Sequence, residues 1–140
     1  MLPAVIAVVT PYARYSSGAL TFIVSLSQAH GLDVTFNAST TDGTARVTGN
    51  DYTSLNSQPF TIPAGSLSIP VTVNVGVDAA AELSETLQVV IANVSSNARP
   101  VDSLATGTIV NDDGALAQLR ISDASAFEDT GALNLTVFLD

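Results

Sequence analysis

Leu67-Ser68-Ile69-Pro70-Val71-Thr72-Val73-Asn74-Val75-Gly76-Val77 decides the fold. Every odd position is apolar, and every even one is Ser, Thr, Asn, Pro or Gly. Side chains on a strand alternate between two faces, whereas a helix repeats every 3.6 residues. Alternation sustained over this length predicts a strand with one buried face. Pro70 has no N–H to give to a ladder, which puts the strand at an edge or a bulge.

The same period recurs on both sides. Downstream, Leu87, Val89 and Ile91 alternate with Thr86 and Gln88, and Leu104–Val110 reads as a further strand. The polar stretch Asn93–Asp102, with Pro100, reads as a loop. Upstream, Phe60 and Ile62 precede the turn Pro63-Ala64-Gly65, and Val47–Leu55 reads as a short irregular strand broken by Gly49-Asn50-Asp51. Val34 and Phe36 lead to the turn Thr41-Asp42-Gly43-Thr44. Leu20, Phe22, Val24 and Leu26 alternate with Thr21 and Ser25 before a turn at Ala29-His30-Gly31. Met1–Val9 reads as the first strand: it lacks the basic start of a leader peptide and is too short to span a bilayer. Nothing carries a 3.6-residue apolar stripe. The chain is therefore expected to be all-β, an antiparallel sandwich.

Composition fits a single sizeable core. The 140 residues are 46% hydrophobic, and the net charge is −9. Lys is absent, so charge gives no hold on nucleic acid or an anionic membrane. Cys is also absent, which removes disulfides, thiolate metal sites and cysteine nucleophiles. His30 is the lone histidine, in a turn, and no nucleophile–base arrangement is available. A non-enzyme is expected.

A long-period repeat closes the chain. Gly131-Ala132-Leu133-Asn134-Leu135-Thr136-Val137-Phe138-Leu139 mirrors Gly18-Ala19-Leu20-Thr21-Phe22-Ile23-Val24-Ser25-Leu26. The offset is 131 − 18 = 113 residues, and it places Leu119 and Ile121 on Ile6 and Val8. A period of this size is that of a domain. Residues 1–114 are expected to form one module. Residues 115–140 are expected to be the first two strands of another, patterned over Leu116–Ile121 and Leu133–Leu139.

If successive strands reverse direction, the acidic loops meet. The strands ending near Thr40 and Val77 point to one end, the strand from Glu85 starts there, and Leu104–Val110 finishes there. Asp42, Asp78, Glu82, Glu85, Asp112 and Asp113 then share a tip. Carboxylates crowded together repel without a counterion. Ca²⁺ accepts six to eight oxygens in irregular geometry, whereas Mg²⁺ demands a tight octahedron.

These residues carry a family resemblance. Val34-Thr35-Phe36 followed by Thr41-Asp42-Gly43-Thr44-Ala45, then Asp51-Tyr52-Thr53 and Ile62-Pro63-Ala64-Gly65, is similar to the signature of Calx-beta domains. Glu82-x-x-Glu85-Thr86-Leu87 and Thr106-Gly107-Thr108-Ile109-x-Asn111-Asp112-Asp113 complete the order. The resemblance runs from about Gly18 to Gly114 and resumes in 118–140. It implies a seven-stranded immunoglobulin-like sandwich that binds Ca²⁺ at one tip, with Asp42, Asp78, Glu82, Glu85, Asp112 and Asp113 as ligands. Tyr15 stands where the family often has an acid, and Glu128 holds that place in the second copy as an inter-repeat contributor. Val77-Asp78 stands where two adjacent Asp are common.

The resemblance implies a calcium-binding structural or adhesive repeat of a cell-surface or extracellular protein. The alternative is a calcium sensor of a membrane transporter or signalling protein. The expected partners are neighbouring copies or repeats of itself, assembled head to tail through the duplicated strands into a filament. An extracellular protein or glycan ligand would be additional, and neither nucleic acid nor membrane insertion is expected.

Overall fold

The computed structural model describes residues 4–9, 12–14, 18–114 and 117–139, with the backbone alone described at 8, 9, 12–14 and 130. Tyr15, Leu116 and Asp140 lie outside the described residues, as do Met1, Leu2 and Pro3 of the expected first strand.

The strands are β1 Ala4–Val9, β2 Tyr12–Arg14, β3 Ala19–Leu26, β4 Val34–Asp42, β5 Gln58–Ile62, β6 Ser68–Asn74, β7 Glu85–Ala92, β8 Ala98–Asp102, β9 Leu104–Val110, β10 Leu119–Ile121 and β11 Val137–Leu139. One sheet runs β6-β3-β1-β8 and the other β2-β9-β7-β4-β5. As Pro70 required, β6 is an edge strand, paired only with β3, and Pro70 sits opposite Ile23. Pro59 places β5 at the edge of the other sheet in the same way.

The core lies between the two inner faces. Leu20, Phe22, Val24, Val71 and Val73 come from one sheet, and Val34, Phe36, Leu87, Val89 and Ile109 from the other, all buried. Each such side chain contributes roughly 1.5–3 kcal/mol by leaving water. Gly107 on β9 allows the sheets to close: a Cβ there would meet Phe22 Cζ at 2.7 Å and Leu20 Cδ1 at 3.1 Å. No charged or polar residue is buried among the described residues.

The all-β sandwich is as the alternation predicts, but it is not wholly antiparallel. The amino-terminal segment divides between the sheets, with β1 parallel to β8 and β2 parallel to β9. Two local expectations are corrected. Asn93–Asp102 is not all loop: Ala98–Asp102 forms an edge strand, invisible to the apolar pattern because only Ala98 is buried. Val47–Leu55 is not a strand but a 3₁₀ turn at Val47–Gly49 followed by one isolated bridge, Tyr52 to Val75. Its hydrogen bonds go to shaping a loop rather than to a ladder.

β10 and β11 form a two-stranded sheet of their own. No described helix is long and apolar enough to cross a membrane.

Candidate metal centre at the acidic tip

Register brings the acidic loops to one end. Asp42, the last residue of β4, pairs with Leu87, and Glu85, the first of β7, pairs with Ile109 near the end of β9. The Asn111 N–H donates to Ser84 Oγ at 3.2 Å, tying the β9 exit to the loop before β7. The bridge from Tyr52 to Val75 brings in the loop after β6.

Within this tip one group closes. Carboxylate oxygens of Asp51, Glu82 and Glu85 lie within 4.8 Å of one another and could hold a metal ion. Asp51 was not among the six expected ligands. Its position is fixed from three sides. Its Oδ2 accepts the Arg46 N–H at 2.7 Å, its N–H donates to the Arg46 carbonyl at 3.2 Å, and its carbonyl accepts the Gly76 N–H at 2.9 Å. Gly76 is required for that approach, because a Cβ there would collide with the Asn50 carbonyl oxygen.

Asp42 shares the tip but has a different task. Its Oδ1 accepts the Tyr52 hydroxyl at 2.5 Å and the Val47 N–H at 3.2 Å. The carboxylate thus clasps both ends of the loop that carries Asp51. The Tyr52 hydroxyl first, then the Val47 N–H, hold the Asp42 carboxyl below its ordinary value of 3.8. Burial, then the bond to Asp42, pushes the Tyr52 phenol up to about 12.

The signs of these shifts are opposite in consequence. Asp42 contributes stability above the unfolded carboxylate range, and that contribution is lost as pH falls through its depressed folded value. Tyr52 keeps its proton when folded but releases it near pH 10 when unfolded, so stability is lost as pH rises from about 10 towards about 12. Tyr52→Phe removes a hydrogen bond to a charged acceptor and is expected to cost about 1.5–3 kcal/mol at neutral pH. It should also flatten the loss between pH 10 and 12. Urea denaturation of both proteins across that range checks this, and equal alkaline slopes would refute the clasp.

The other expected ligands are placed as follows. Asp78 accepts the Ala80 N–H at 2.8 Å and shapes its own loop. Asp112 is exposed at the β9 exit. Asp113 donates its N–H to Asn111 Oδ1 at 3.2 Å, while its Oδ2 is shielded from solvent with no hydrogen-bond partner. Glu128 is exposed in a 3₁₀ turn, Glu128–Thr130, between β10 and β11. The structure therefore joins Glu82 and Glu85 to Asp51. It leaves Asp42, Asp78, Asp112 and Asp113 around the same end but outside that group.

The donor set suits a hard cation. Its members are all carboxylates, two on loops and Glu85 at the start of β7, an arrangement that suits irregular coordination. The buried, unpartnered Asp113 oxygen at the same end marks a second point where positive charge would relieve desolvation.

Fold and tip together define an immunoglobulin-like sandwich with a carboxylate cluster at one end. The chain belongs to the Calx-beta family: the Calx-beta domain model matches residues 6–114. Among solved structures, the apo-form Calx CBD1 domain superposes with a TM-score of 0.70 at 20% identity, covering 79% of this chain and 99% of that one. The calcium binding domain CBD12 of CALX1.1 gives 0.67 at 20% identity, covering 80% of this chain and 45% of that one. The Calx CBD2 domain gives 0.63 at 11%, covering 77% and 86%. No curated protein matches the chain.

Proposed function

We propose that this chain is a non-catalytic calcium-binding module in which Ca²⁺ binds at the tip and orders its loops. The observation that carries the reading is the convergence of Asp51, Glu82 and Glu85. The unpartnered Asp113 oxygen supports it. Asp42 acts beside the site as the clasp of the Asp51 loop, and Asp78, Asp112 and Asp113 extend the negative field around it. Likeness to solved domains described as calcium binding supports a calcium-responsive, regulatory role over adhesion. The 113-residue recurrence favours a second reading, a structural repeat of a surface array; calcium-stiffened tips would serve either.

Isothermal titration tests the site. Ca²⁺ is expected to bind the full chain, with Asp51→Asn and Glu82→Gln each weakening it by at least about tenfold, as loss of a charged ligand does to a carboxylate site. Asp33→Asn serves as the control, because Asp33 Oδ1 caps Ala64 at 2.9 Å on another loop. Equal Ca²⁺ affinity in all four proteins would overturn the reading.

A further inference from the structure

No central strand of either sheet contains proline, yet each of the three longer edge strands carries one: Pro59 in β5, Pro70 in β6 and Pro100 in β8. All three are exposed. The remaining edge strand of the sandwich, β2, is three residues long and follows Pro11 in sequence.

Register shows which way each proline nitrogen faces. Leu26 donates its N–H to the Leu67 carbonyl at 2.7 Å, and Val75 donates to the Gly18 carbonyl at 3.0 Å, at the two ends of the β3–β6 ladder. Bonded and unbonded partners alternate along an antiparallel pair. Steps of two from Leu26 and Leu67 make Val24–Ile69, Phe22–Val71 and Leu20–Val73 the bonded pairs, so Ile23–Pro70 is unbonded and the Pro70 nitrogen faces the free edge. On β4, Thr35 turns both backbone groups to the segment after β7: its carbonyl accepts the Ser95 N–H at 2.9 Å, and its N–H donates to Ser95 Oγ at 3.0 Å. Asn37, two residues on, bonds to the same side, which leaves its β5 partner Pro59 facing outward. On β1, Val5 exchanges bonds with Ser27, in line with β3, so Ile6 bonds towards β8. Pro100 stands opposite Ile6. In a parallel pair the bonds of one residue run to the neighbours of its opposite number, so the Pro100 nitrogen too is turned outward.

Each missing donor falls where a further strand would dock. On β6, Pro70 lies between the outward amides of Ser68 and Thr72. On β5, Thr61 is the next outward position after Pro59, and the Ser57 N–H goes to Ser39 Oγ at 2.9 Å. On β8, the Ala98 N–H goes to the Ser95 carbonyl at 3.0 Å. Exposed edges are commonly protected by charge, Lys above all. This chain has no Lys, and β5 and β6 hold no charged residue. Ile69, Val71 and Val73 give β6 the apolar, uncharged alternation that pairs readily between chains.

We infer that Pro59, Pro70 and Pro100 are edge guards, which keep the sandwich from adding, edge to edge, to a second copy of this chain. Proline blocks such addition twice over, by withholding a ladder hydrogen bond and by placing its ring where the incoming backbone would lie. None of this depends on calcium at the tip.

The test restores the missing donors in the full chain, in EGTA. Pro59→Thr, Pro70→Thr and Pro100→Thr are combined, Thr being a good strand former. Sedimentation at matched concentration is expected to give an average mass at least about twice that of the natural chain, and hydrogen exchange to slow at least about tenfold at the outward amides of Ser68 and Thr72. Pro63→Thr, in the turn before β6, is the control and should leave the mass unchanged. A relocated guard separates edge pairing from mere loss of stability. Thr72 faces outward like Pro70, so Thr72→Pro added to Pro59→Thr, Pro70→Thr and Pro100→Thr should reverse association through β6 and return the Ser68 amide to fast exchange. A triple variant of natural mass would overturn the inference. So would association with no slowing at Ser68 and Thr72, or association through β6 undiminished by Thr72→Pro, since either would mean that the copies join elsewhere than at these edges.

Discussion

Millimolar Ca²⁺ is expected to raise the midpoint of thermal unfolding by on the order of 10 °C, and the same concentration of Mg²⁺ to raise it far less. A ligand that binds only the folded state stabilises it by RT ln(1 + [L]/Kd), about 2.7 kcal/mol at a hundred times Kd. In a domain of this size each kcal/mol moves the midpoint by several degrees. The cage formed by Asp51, Glu82 and Glu85 is assembled only when the loops after β4 and β6 and the start of β7 are in place, so the unfolded chain offers no equivalent. Mg²⁺ keeps its waters and demands a regular octahedron, which these three carboxylates do not impose. Glu85→Gln supplies the discriminating arm. Without calcium it relieves repulsion among the carboxylates, so in EGTA it should melt no lower than the natural chain. With calcium it should lose most of the increment. Melting curves in EGTA, Ca²⁺ and Mg²⁺ decide the matter, and an unchanged midpoint at millimolar Ca²⁺ would sink the site.

The division between what could be read and what could not follows the physics of each segment. Leu67–Val77 announced a strand because burial on one face forces a period of two, and Pro70 announced its edge because it lacks a donor. β8 was silent, since it is held by backbone pairing to β1 while four of its five side chains face solvent. β2 lacked the length to show a period at all.

The tip was legible as a place and less so as a set. Strand reversal sufficed to bring six acids to one end. It could not separate Asp42, at the end of β4, from Asp51, nine positions on in the loop that follows. That separation depends on Tyr52, which turns its ring into the core and its hydroxyl to Asp42. Asp51, next to it in a bend, carries its carboxylate instead towards Glu82 and Glu85. Asp followed directly by a core aromatic was the available signal. The turn residues Gly49 and Asn50, with Asn50 at φ 63°, mark the reversal that delivers it.

The largest single-residue effect is expected at Phe22, and its contrast is Leu135. Phe22 is fully buried between the sheets, with its ring against Gly107, so Phe22→Ala leaves a cavity that the strand backbones cannot collapse into. Such truncations cost about 3–5 kcal/mol. Leu135 holds the equivalent position 113 residues on, preceded by Gly131-Ala132-Leu133 as Phe22 is by Gly18-Ala19-Leu20, yet it is 54% exposed. Leu135→Ala in the 140-residue chain is expected to stay within about 0.5 kcal/mol of the natural protein, as surface substitutions do. Chemical denaturation followed by backbone dichroism measures both. The midpoint should fall steeply for the first variant and hold for the second, with the slope unchanged in each. A large loss at Leu135 would mean that its face is already covered in the isolated chain. A small loss at Phe22 would mean that the sheets do not close over β3, and the assignment of that face as the core would fail.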